Sequence, residues 1–405
     1  MTRIALISDI HFGKFSRTAE FSVPGEPIRD ENSGGIPLAD SLIDLLKTNN
    51  VQYLCIAGDL TSIGSPQEFS FCEHAILNIA ERVGIPKEKI ILGLGNHDVD
   101  WKIADIFNQY QTSETDFPDE LVKEKYQRIA ASAAAINIDS IPMPIPNGPA
   151  PFSGVVENKD FVMFILNSGC YCTRNQEVSH GKLDLKQLEW FNAESMKYRE
   201  DTRWKIVLMH HHPFSYKYPI HSIDISMLEE GPEFLEIAGK NGINLVLHGH
   251  RHHPRAETEL KNDWHNPITF ICAGSVAVNS AHRSSGEIPN TVHIIELSDD
   301  VGVLKLENYE FSSSKGWHPL ERNCPETPLD AKMELGKLFS TDVINKSIQL
   351  LPTAPAVISW GDLDDCLKFM TLGDLNNHVK KHFSSTYNII GTFPNDVCLI
   401  AKKRG

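Results

Sequence analysis

The chain has 405 residues, a formal net charge of −15 at pH 7 and an apolar content of 41%. This length favours a catalytic domain with a smaller appended unit, and the apolar content is ample for a large core. The negative charge argues against a broad basic face for nucleic acid, although bound divalent cations would offset part of it locally.

The cysteines and the N-terminal residues predict a cytoplasmic protein. The eight cysteines are scattered without a CxxC pair, which is typical of reduced thiols rather than of a disulfide scaffold. Only five residues separate Arg3 from Asp9, too few for the apolar part of a signal peptide. No apolar run is long enough to cross a bilayer.

The first predicted strand, over 4–7, ends in a loop that carries a carboxylate and an imidazole. These are Asp9 and His11, and residues two apart in an extended chain point to the same side. The two side chains therefore project together and could share one cation. A polar loop rich in glycine and proline follows over 12–35, and a helix is predicted over 38–47.

The second predicted strand, over 53–57, delivers another carboxylate. It is followed by Gly58 and Asp59, and the glycine lets the backbone come close to whatever the carboxylate binds. Because a carboxylate has two oxygen atoms, Asp59 could bridge two cations. A helix is predicted from Pro66 to about Val83.

The third predicted strand, over 89–92, leads into the loop Gly95-Asn96-His97-Asp98. In open α/β sheets, ligands and catalytic groups gather at the carboxyl ends of strands. Asn96 could bind a metal there, His97 could donate a proton, and Asp98 could orient the His97 ring. The alternation of strands and helices predicts an α/β architecture.

The middle of the chain is predicted to be mainly helical over 101–135. A proline-rich connector over 141–146 could overhang the site, and a strand follows over 161–166. His180, which precedes a helix predicted over 185–196, is interpreted as a structural residue.

Two histidine clusters follow predicted strands over 205–209 and 244–247. Seven of the 18 histidines lie in these two short loops, which packing alone does not explain. His250 and His252 repeat the two-residue spacing of the first loop, so both are candidate ligands. Not every member can be a ligand, and four are interpreted as outer contacts, substrate contacts or surface residues: His210, His212, His248 and His253.

The rest of the chain is predicted to complete the catalytic domain and add a small unit. Segments 268–273 and 291–297 are predicted as strands of a second sheet. The catalytic domain should cover 1–310, a linker 311–328, and a small C-terminal α+β region 329–405. Two helices and a closing strand are predicted in this region, over 331–350, 363–383 and 397–401.

Five short motifs, each after an apolar strand, together resemble the calcineurin-like metallophosphoesterases. They are Asp-x-His, Gly-Asp, Gly-Asn-His-Asp, His-His-Pro and Gly-His-x-His, in this order within residues 1–310. The resemblance implies a four-layer αββα sandwich with two mixed sheets, and a two-metal site between the sheet ends.

The resemblance also implies, by position, which residues bind the metals. One metal would take Asp9, His11, Asp59 and His252, and the other would take Asp59, Asn96, His211 and His250. His211 is assigned because the family's ligand lies two residues before the proline, and the run of three histidines leaves an adjacent one as the alternative. His97 matches the family's catalytic histidine that does not bind metal.

This donor set supports a two-metal hydrolytic site. Imidazole, carboxylate and amide oxygen suit Mn, Fe, Zn, Co or Ni better than Ca. Two such ions roughly 3.5–4 Å apart can hold a phosphoryl group and acidify a bridging water. The resulting hydroxide would attack phosphorus, while His97 would stabilise the transition state or protonate the leaving group.

Within the family, the motif details favour a phosphodiesterase. Phosphoprotein phosphatases carry Asp-Arg-Gly after the Gly-Asp motif and Glu after Asn-His, whereas this chain has Thr61-Ser62-Ile63-Gly64 and Asp98. The pattern is similar to the cyclic-nucleotide and glycerophosphodiester phosphodiesterase branch. A nuclease and a phosphomonoesterase remain alternatives. A non-catalytic scaffold is disfavoured because every ligand position of the family is filled.

The expected partner is a small-molecule phosphoester, with nucleic acid as the alternative. The region 329–405 contains no chemical motif. It could mediate homo-oligomer formation, bind another protein or cover the site.

Overall fold

The computed structural model of the protein describes most of the chain. The described residues are 1–24, 35–99, 131–132, 153–169, 180–215, 226–261, 264–280, 288–298, 302–321, 329–336, 356–359, 387–392 and 397–402. Some predicted segments lie wholly or partly outside them: the loop over 12–35 at residues 25–34, the helix over 101–135 apart from residues 131–132, the connector over 141–146, the linker over 311–328 beyond residue 321, the helix over 331–350 beyond residue 336, and the helix over 363–383.

In the described part of the first 250 residues, strands and helices alternate as predicted, except that two strands follow one another after residue 153. The described helices are α1 (Leu38–Thr48), α2 (Pro66–Val83), α3 (Leu185–Lys197) and α4 (Gly231–Lys240). The described strands are β1 (Thr2–Ile7), β2 (Tyr53–Ala57), β3 (Ile90–Gly93), β4 (Gly154–Glu157), β5 (Phe161–Ile165), β6 (Trp204–Leu208), β7 (Leu245–His248), β8 (Arg255–Glu259), β9 (Ile268–Cys272), β10 (Thr291–Leu297), β11 (Leu304–Ser312), β12 (Gly316–Pro319), β13 (Lys332–Leu335), β14 (Ala356–Ser359), β15 (Tyr387–Thr392) and β16 (Val397–Lys402).

Two mixed sheets form the body of the molecule. The first has the strand order β12-β11-β10-β1-β2-β3, with β13 also paired to β11. Strands β1, β2 and β3 are parallel, and β10, β11 and β12 continue antiparallel. The second sheet has the order β4-β5-β6-β7-β9-β8, in which the four central strands are parallel and the two outer strands antiparallel.

The two sheets pack face to face through one apolar core. Leu6 and Cys55 enter it from the first sheet, and Met163, Leu208 and Leu247 enter it from the second. Buried side chains of α1 and α2 extend the same core over the outer face of the first sheet.

The outer face of the second sheet carries α3 and α4. The Phe191 ring of α3 stacks on Phe234 of α4 with centroids 5.6 Å apart, and it contacts Phe164 of β5 edge-on. The helices therefore cover both outer faces, and the predicted four-layer αββα sandwich with two mixed sheets is confirmed.

Capping signals in the sequence explain where α2 begins and ends. Ser65 Oγ accepts from the N–H of Glu68, and the Glu68 carboxylate accepts from the N–H of Ser65, which is a capping box. Gly84 ends the helix in the left-handed region, as expected at this position. The Glu68 carboxylate also accepts from the Ile63 N–H, so the cap fixes the loop between β2 and α2.

Three predicted elements differ from the structure. Segment 291–297 forms β10 beside β1 in the first sheet rather than in the second. Segment 311–328, predicted as a linker, contains the end of β11 and all of β12, which bury Phe311 and Trp317 in the core. Residues 332–335, predicted to be helical, form β13, and their burial alternates with the period of two that a half-covered strand requires.

The C-terminal residues form a second compact unit. The first unit comprises 1–259 and 264–335, and the second comprises 260–263 and 336–405. The described strands of the second unit form an antiparallel sheet in the order β14-β16-β15, and the closing strand predicted over 397–401 is confirmed as β16. None of the described helices has the length and apolar character that a membrane span requires.

Candidate metal centre

The register of the parallel strands brings the predicted ligand loops to one edge of the sandwich. Ile7, Ile56 and Leu92 lie side by side at the ends of β1, β2 and β3. Leu208 and Leu247 do the same at the ends of β6 and β7. The loops that follow these five strands therefore meet at the carboxyl ends of both sheets.

One group of side chains gathers around Asp9. The His252 Nε2 lies 3.1 Å from the Asp9 Oδ1 and 3.2 Å from the His11 Nε2. The His11 Nε2 lies 3.4 Å from the Asp59 Oδ2. All four ligand atoms are within 4.8 Å of one another.

A second group shares Asp59 with the first. The His210 Nε2 lies 3.2 Å from the Asp59 Oδ2 and 3.1 Å from the Asn96 Oδ1. The His250 Nδ1 lies 3.1 Å from the same Asn96 oxygen and 3.2 Å from the His210 Nε2. Asp59 is thus common to two groups of side chains that could hold a metal ion.

The spacing and the chemistry of both groups fit metal ions. Ligand atoms about 2.1 Å from one ion lie roughly 3.0–3.4 Å from each other at octahedral or tetrahedral angles. The separations given above fall within that range, and the His11 Nε2 lies somewhat farther, 3.9 Å, from the Asp9 Oδ1. The Asp9 Oδ1 is buried, and no hydrogen bond satisfies it in the described part of the chain. A cation would compensate this otherwise costly buried acceptor.

The protonation of the site limits what a cation would have to displace. Burial, with help from neighbouring imidazoles, holds the pKa values of His11 and His250 well below the usual value, so both rings are neutral. Burial also disfavours charge on His210, but the Asp59 carboxylate outweighs it and raises the His210 pKa to about 9. Its Nδ1 lies 2.7 Å from the Ala57 carbonyl oxygen, so a metal would displace only the Nε2 proton.

Backbone strain is concentrated at these residues. Five of the six described non-glycine residues with positive φ are candidate ligands: Asp9, His11, Asp59, His250 and His252. Such residues rarely adopt this conformation, and it persists where the surroundings enforce it, often at functional sites.

Two glycines allow the loops to approach this closely. A Cβ at Gly95 would overlap the backbone nitrogen and the carboxylate of Asp59, and a Cβ at Gly249 would overlap Ser8 and crowd the Asp9 carboxylate. The glycines of the Gly-Asn-His-Asp and Gly-His-x-His motifs are therefore needed for packing between loops.

The structure brings His210, and not the predicted His211, into the second group. Trp204, Ile206 and Leu208 of β6 all face the core between the sheets, and His210 continues this alternation. The His211 ring lies against that of His250, with centroids 4.3 Å apart, but its Nδ1 lies 2.8 Å from the Ser168 Oγ and it is not among the clustered ligand atoms. The position of His210 relative to the strand was the signal that could have identified it.

We expect His210→Ala to lose metal from the second group and His211→Ala to retain it. His210 places a ring nitrogen against Asp59 and Asn96, whereas His211 contacts Ser168. Metal content per chain, measured by mass spectrometry after reconstitution with Mn, distinguishes the two variants. Loss of metal in His211→Ala with full content in His210→Ala would restore the original assignment.

His97 lies beside the first group without joining it. Its ring centroid is 4.7 Å from that of His11, and its backbone N–H donates to the Asp59 Oδ1 at 2.9 Å. Its Nδ1 lies 2.7 Å from the Ser62 carbonyl oxygen. Because a carbonyl only accepts hydrogen bonds, Nδ1 carries the proton and the ring orientation is fixed.

Asp98 holds the loops together, whereas it was predicted to orient the His97 ring. Its carboxylate accepts from the N–H groups of Thr61 and Gly95, both at 3.0 Å. Burial, followed by the charge of Asp59, raises the Asp98 pKa to about 7. The group that orients His97 is instead the Ser62 carbonyl, a backbone atom that no side-chain pattern could reveal.

The chain was compared with protein-family models, with curated proteins and with solved structures. The family model described as calcineurin-like phosphoesterase matches residues 2–254. No curated protein matches the sequence. Among solved structures, the chain is similar to a purple acid phosphatase from yellow lupin (Lupinus luteus), with 14% identity and a TM-score of 0.47, covering 78% of this chain and 52% of that one.

Two further structures are similar at low identity. A dimetal phosphatase from Danio rerio has 11% identity and a TM-score of 0.47, with coverage of 83% of this chain and 98% of that one. The phosphoesterase Yfce from E. coli has 14% identity and a TM-score of 0.29, with coverage of 76% and 92%. This chain spans about half the length of the lupin phosphatase. On the family match, which covers more than half of the sequence, the chain belongs to the calcineurin-like phosphoesterase family.

Proposed function

We propose that this protein hydrolyses phosphodiesters at a two-metal centre in which Asp59 is shared by both metals. Family membership implies a metal-dependent phosphoester hydrolase. The observation that carries the two-metal arrangement is the position of Asp59, whose Oδ2 lies within 3.4 Å of both His11 and His210.

The proposed ligands follow the two groups. The first metal takes Asp9, His11, Asp59 and His252, and the second takes Asp59, Asn96, His210 and His250. Bound there, divalent Mn, Fe, Zn, Co or Ni would polarise the phosphoryl group and acidify the attacking water.

His97 acts on the leaving group in this proposal. The Ser62 carbonyl accepts from its Nδ1–H, so the imidazolium form of His97 carries its second proton on Nε2, where that proton can stabilise or protonate the leaving oxygen. The backbone N–H of His97 supports the Asp59 carboxylate at the same time. His97 would thus contact both Asp59, through its backbone, and the leaving oxygen, through its ring.

The basic residues of the ligand loops support a diester substrate. The Arg251 Nη1 donates to the Ser226 Oγ at 2.8 Å. The Lys14 Nζ lies over the Phe15 ring, and the Arg17 guanidinium lies over the Phe311 ring. The two guanidinium groups are therefore already engaged, which favours a singly charged diester over a dianionic monoester that needs more positive charge.

We expect the Mn-loaded enzyme to have a higher kcat/KM for bis(p-nitrophenyl) phosphate than for p-nitrophenyl phosphate. Natural diesters, cyclic AMP and glycerophosphocholine, test the same preference without an activated leaving group. A monoester preference across natural substrates would assign the protein to a phosphatase branch. Cleavage of DNA alone would assign it to the nuclease alternative, which the net charge of −15 disfavours.

A further inference from the structure

Phe15 lies beside His11, a candidate ligand of the first group, and beside His97, the proposed proton donor. Its ring centroid is 5.9 Å from that of His11 and 6.0 Å from that of His97, and the ring planes are inclined at 74° and 88°. The side chain is only half-buried. An aromatic surface is therefore accessible next to the proposed reaction centre.

The backbone of Phe15 is held from both sides. Its N–H donates to the Ser62 Oγ at 3.1 Å, and its carbonyl accepts from the Asn279 N–H at 2.9 Å. The next residue, Ser16, forms an isolated β-bridge with Val278. These contacts fix the backbone that carries the ring, so the ring can form one wall of a substrate site.

An exposed lysine lies over the Phe15 ring. Lys14 is exposed, and its Nζ lies 5.8 Å from the Phe15 centroid. An exposed contact of this kind is weak, and a bound ring could replace it. Ile63, which is 46% exposed, follows the Ser62 that orients His97, so two accessible apolar side chains belong to the loops around the proposed proton donor.

We propose that Phe15 is a specificity-determining residue that packs against an aromatic or heteroaromatic leaving group. The inference rests on the proposed function, in which His97 faces the leaving oxygen. A group attached to that oxygen has to lie near the ring that flanks His97. A planar ring there gains stacking as well as apolar burial, whereas a short alkyl chain gains little of either.

The test compares ring-bearing and short alkyl leaving groups of similar acidity. Dibenzyl phosphate and diethyl phosphate form the diester pair, and benzyl phosphate and ethyl phosphate form the monoester pair. We expect Phe15→Ala to lower kcat/KM roughly three- to tenfold more for the benzyl ester than for the ethyl ester. Phe15→Tyr should retain the benzyl preference.

Phe71→Ala is the matched control, because Phe71 is a 38% exposed phenylalanine of α2. It should leave both substrates unaffected. Equal losses for benzyl and ethyl esters in Phe15→Ala would overturn the proposal, because the ring would then act only on the geometry of His97. No loss for either ester would overturn it as well.

The experiment distinguishes an error in the proposed function from an error in the role of Phe15. Preference between the diester and monoester pairs tests the reaction, whereas the ring dependence is read within each pair. Binding supplies a second measure that needs no turnover, using calorimetry with benzylphosphonate and ethylphosphonate, whose P–C bonds are not hydrolysed. The wild-type protein should bind benzylphosphonate more tightly, Phe15→Ala should remove that difference, and an unchanged difference would overturn the proposal.

Discussion

Asp59→Asn should lose at least one metal ion and most of the turnover. The Asp59 Oδ2 faces the His11 Nε2 at 3.4 Å and the His210 Nε2 at 3.2 Å. Although burial alone would raise its pKa, His210 and His97 outweigh burial and hold the pKa of Asp59 well below the usual value. The Asp59 side chain is therefore an anion shared by the two groups of candidate ligands. Asparagine has the same shape without the negative charge, so the substitution removes that charge from both groups.

The loss of metal affinity in this variant should exceed the roughly 10–100-fold that follows mutation of residues behind the ligands. Metal content and kcat with Mn are the measurements. Asp40→Asn is the matched control, because Asp40 is an exposed carboxylate paired with Arg82 on the outer helices. Full metal occupancy with normal turnover in Asp59→Asn would show that Asp59 does not bridge the metals.

His97→Ala should keep nearly all of the metal while lowering turnover by roughly 10²–10⁴, the range for a positioned proton-transfer group. Metal binding should survive because the contact to Asp59 comes from the backbone N–H of His97, which alanine retains. The loss should shrink for p-nitrophenyl esters, whose leaving group departs without a proton.

The decisive comparison for His97 is between activated and unactivated diesters in the same variant. His74→Ala, a change of an exposed histidine on α2, controls for the substitution itself. An equal loss on both kinds of ester would indicate that His97 binds the phosphoryl group rather than assisting the leaving oxygen.

Much of the fold was predictable because the strands and their loops follow local rules. Apolar runs predicted β1, β2 and β3, and the residues after each run supplied Asp9, Asp59 and Asn96. The parallel register then brings those loops together without further information. The two-residue spacing of Asp9 and His11 predicted companions that the structure places in one group, whereas His250 and His252, which have the same spacing, fall in different groups.

The details that sequence patterns missed depend on which face of a strand a residue occupies and on hydrogen bonds to backbone atoms. His210 and His211 are adjacent residues of the same type. Only the alternation of side chains along β6, which turns every second residue toward the core, distinguishes them. The role of Asp98 depends on which N–H groups its loop reaches, and the orientation of His97 depends on a carbonyl.

The boundary of the first unit was also missed, for a related reason. The polar composition of 311–328 predicted a linker, but the segment begins with strands β11 and β12, whose Phe311 and Trp317 are buried. Two such residues are enough to join a mostly polar segment to a sheet. In β13, charged residues alternate with Met333 and Leu335. This two-residue alternation of a strand was likewise missed when the segment was predicted to be helical.

Metal stoichiometry of the wild-type protein tests the two-metal centre most directly. The purified chain would be stripped with a chelator, reconstituted with Mn or Ca, and analysed for metal by mass spectrometry alongside its phosphodiesterase activity. We predict two Mn ions per chain and recovery of activity with Mn but not with Ca, because imidazole ligands favour transition metals. No more than trace metal under every reconstitution condition would contradict a two-metal centre built on Asp59.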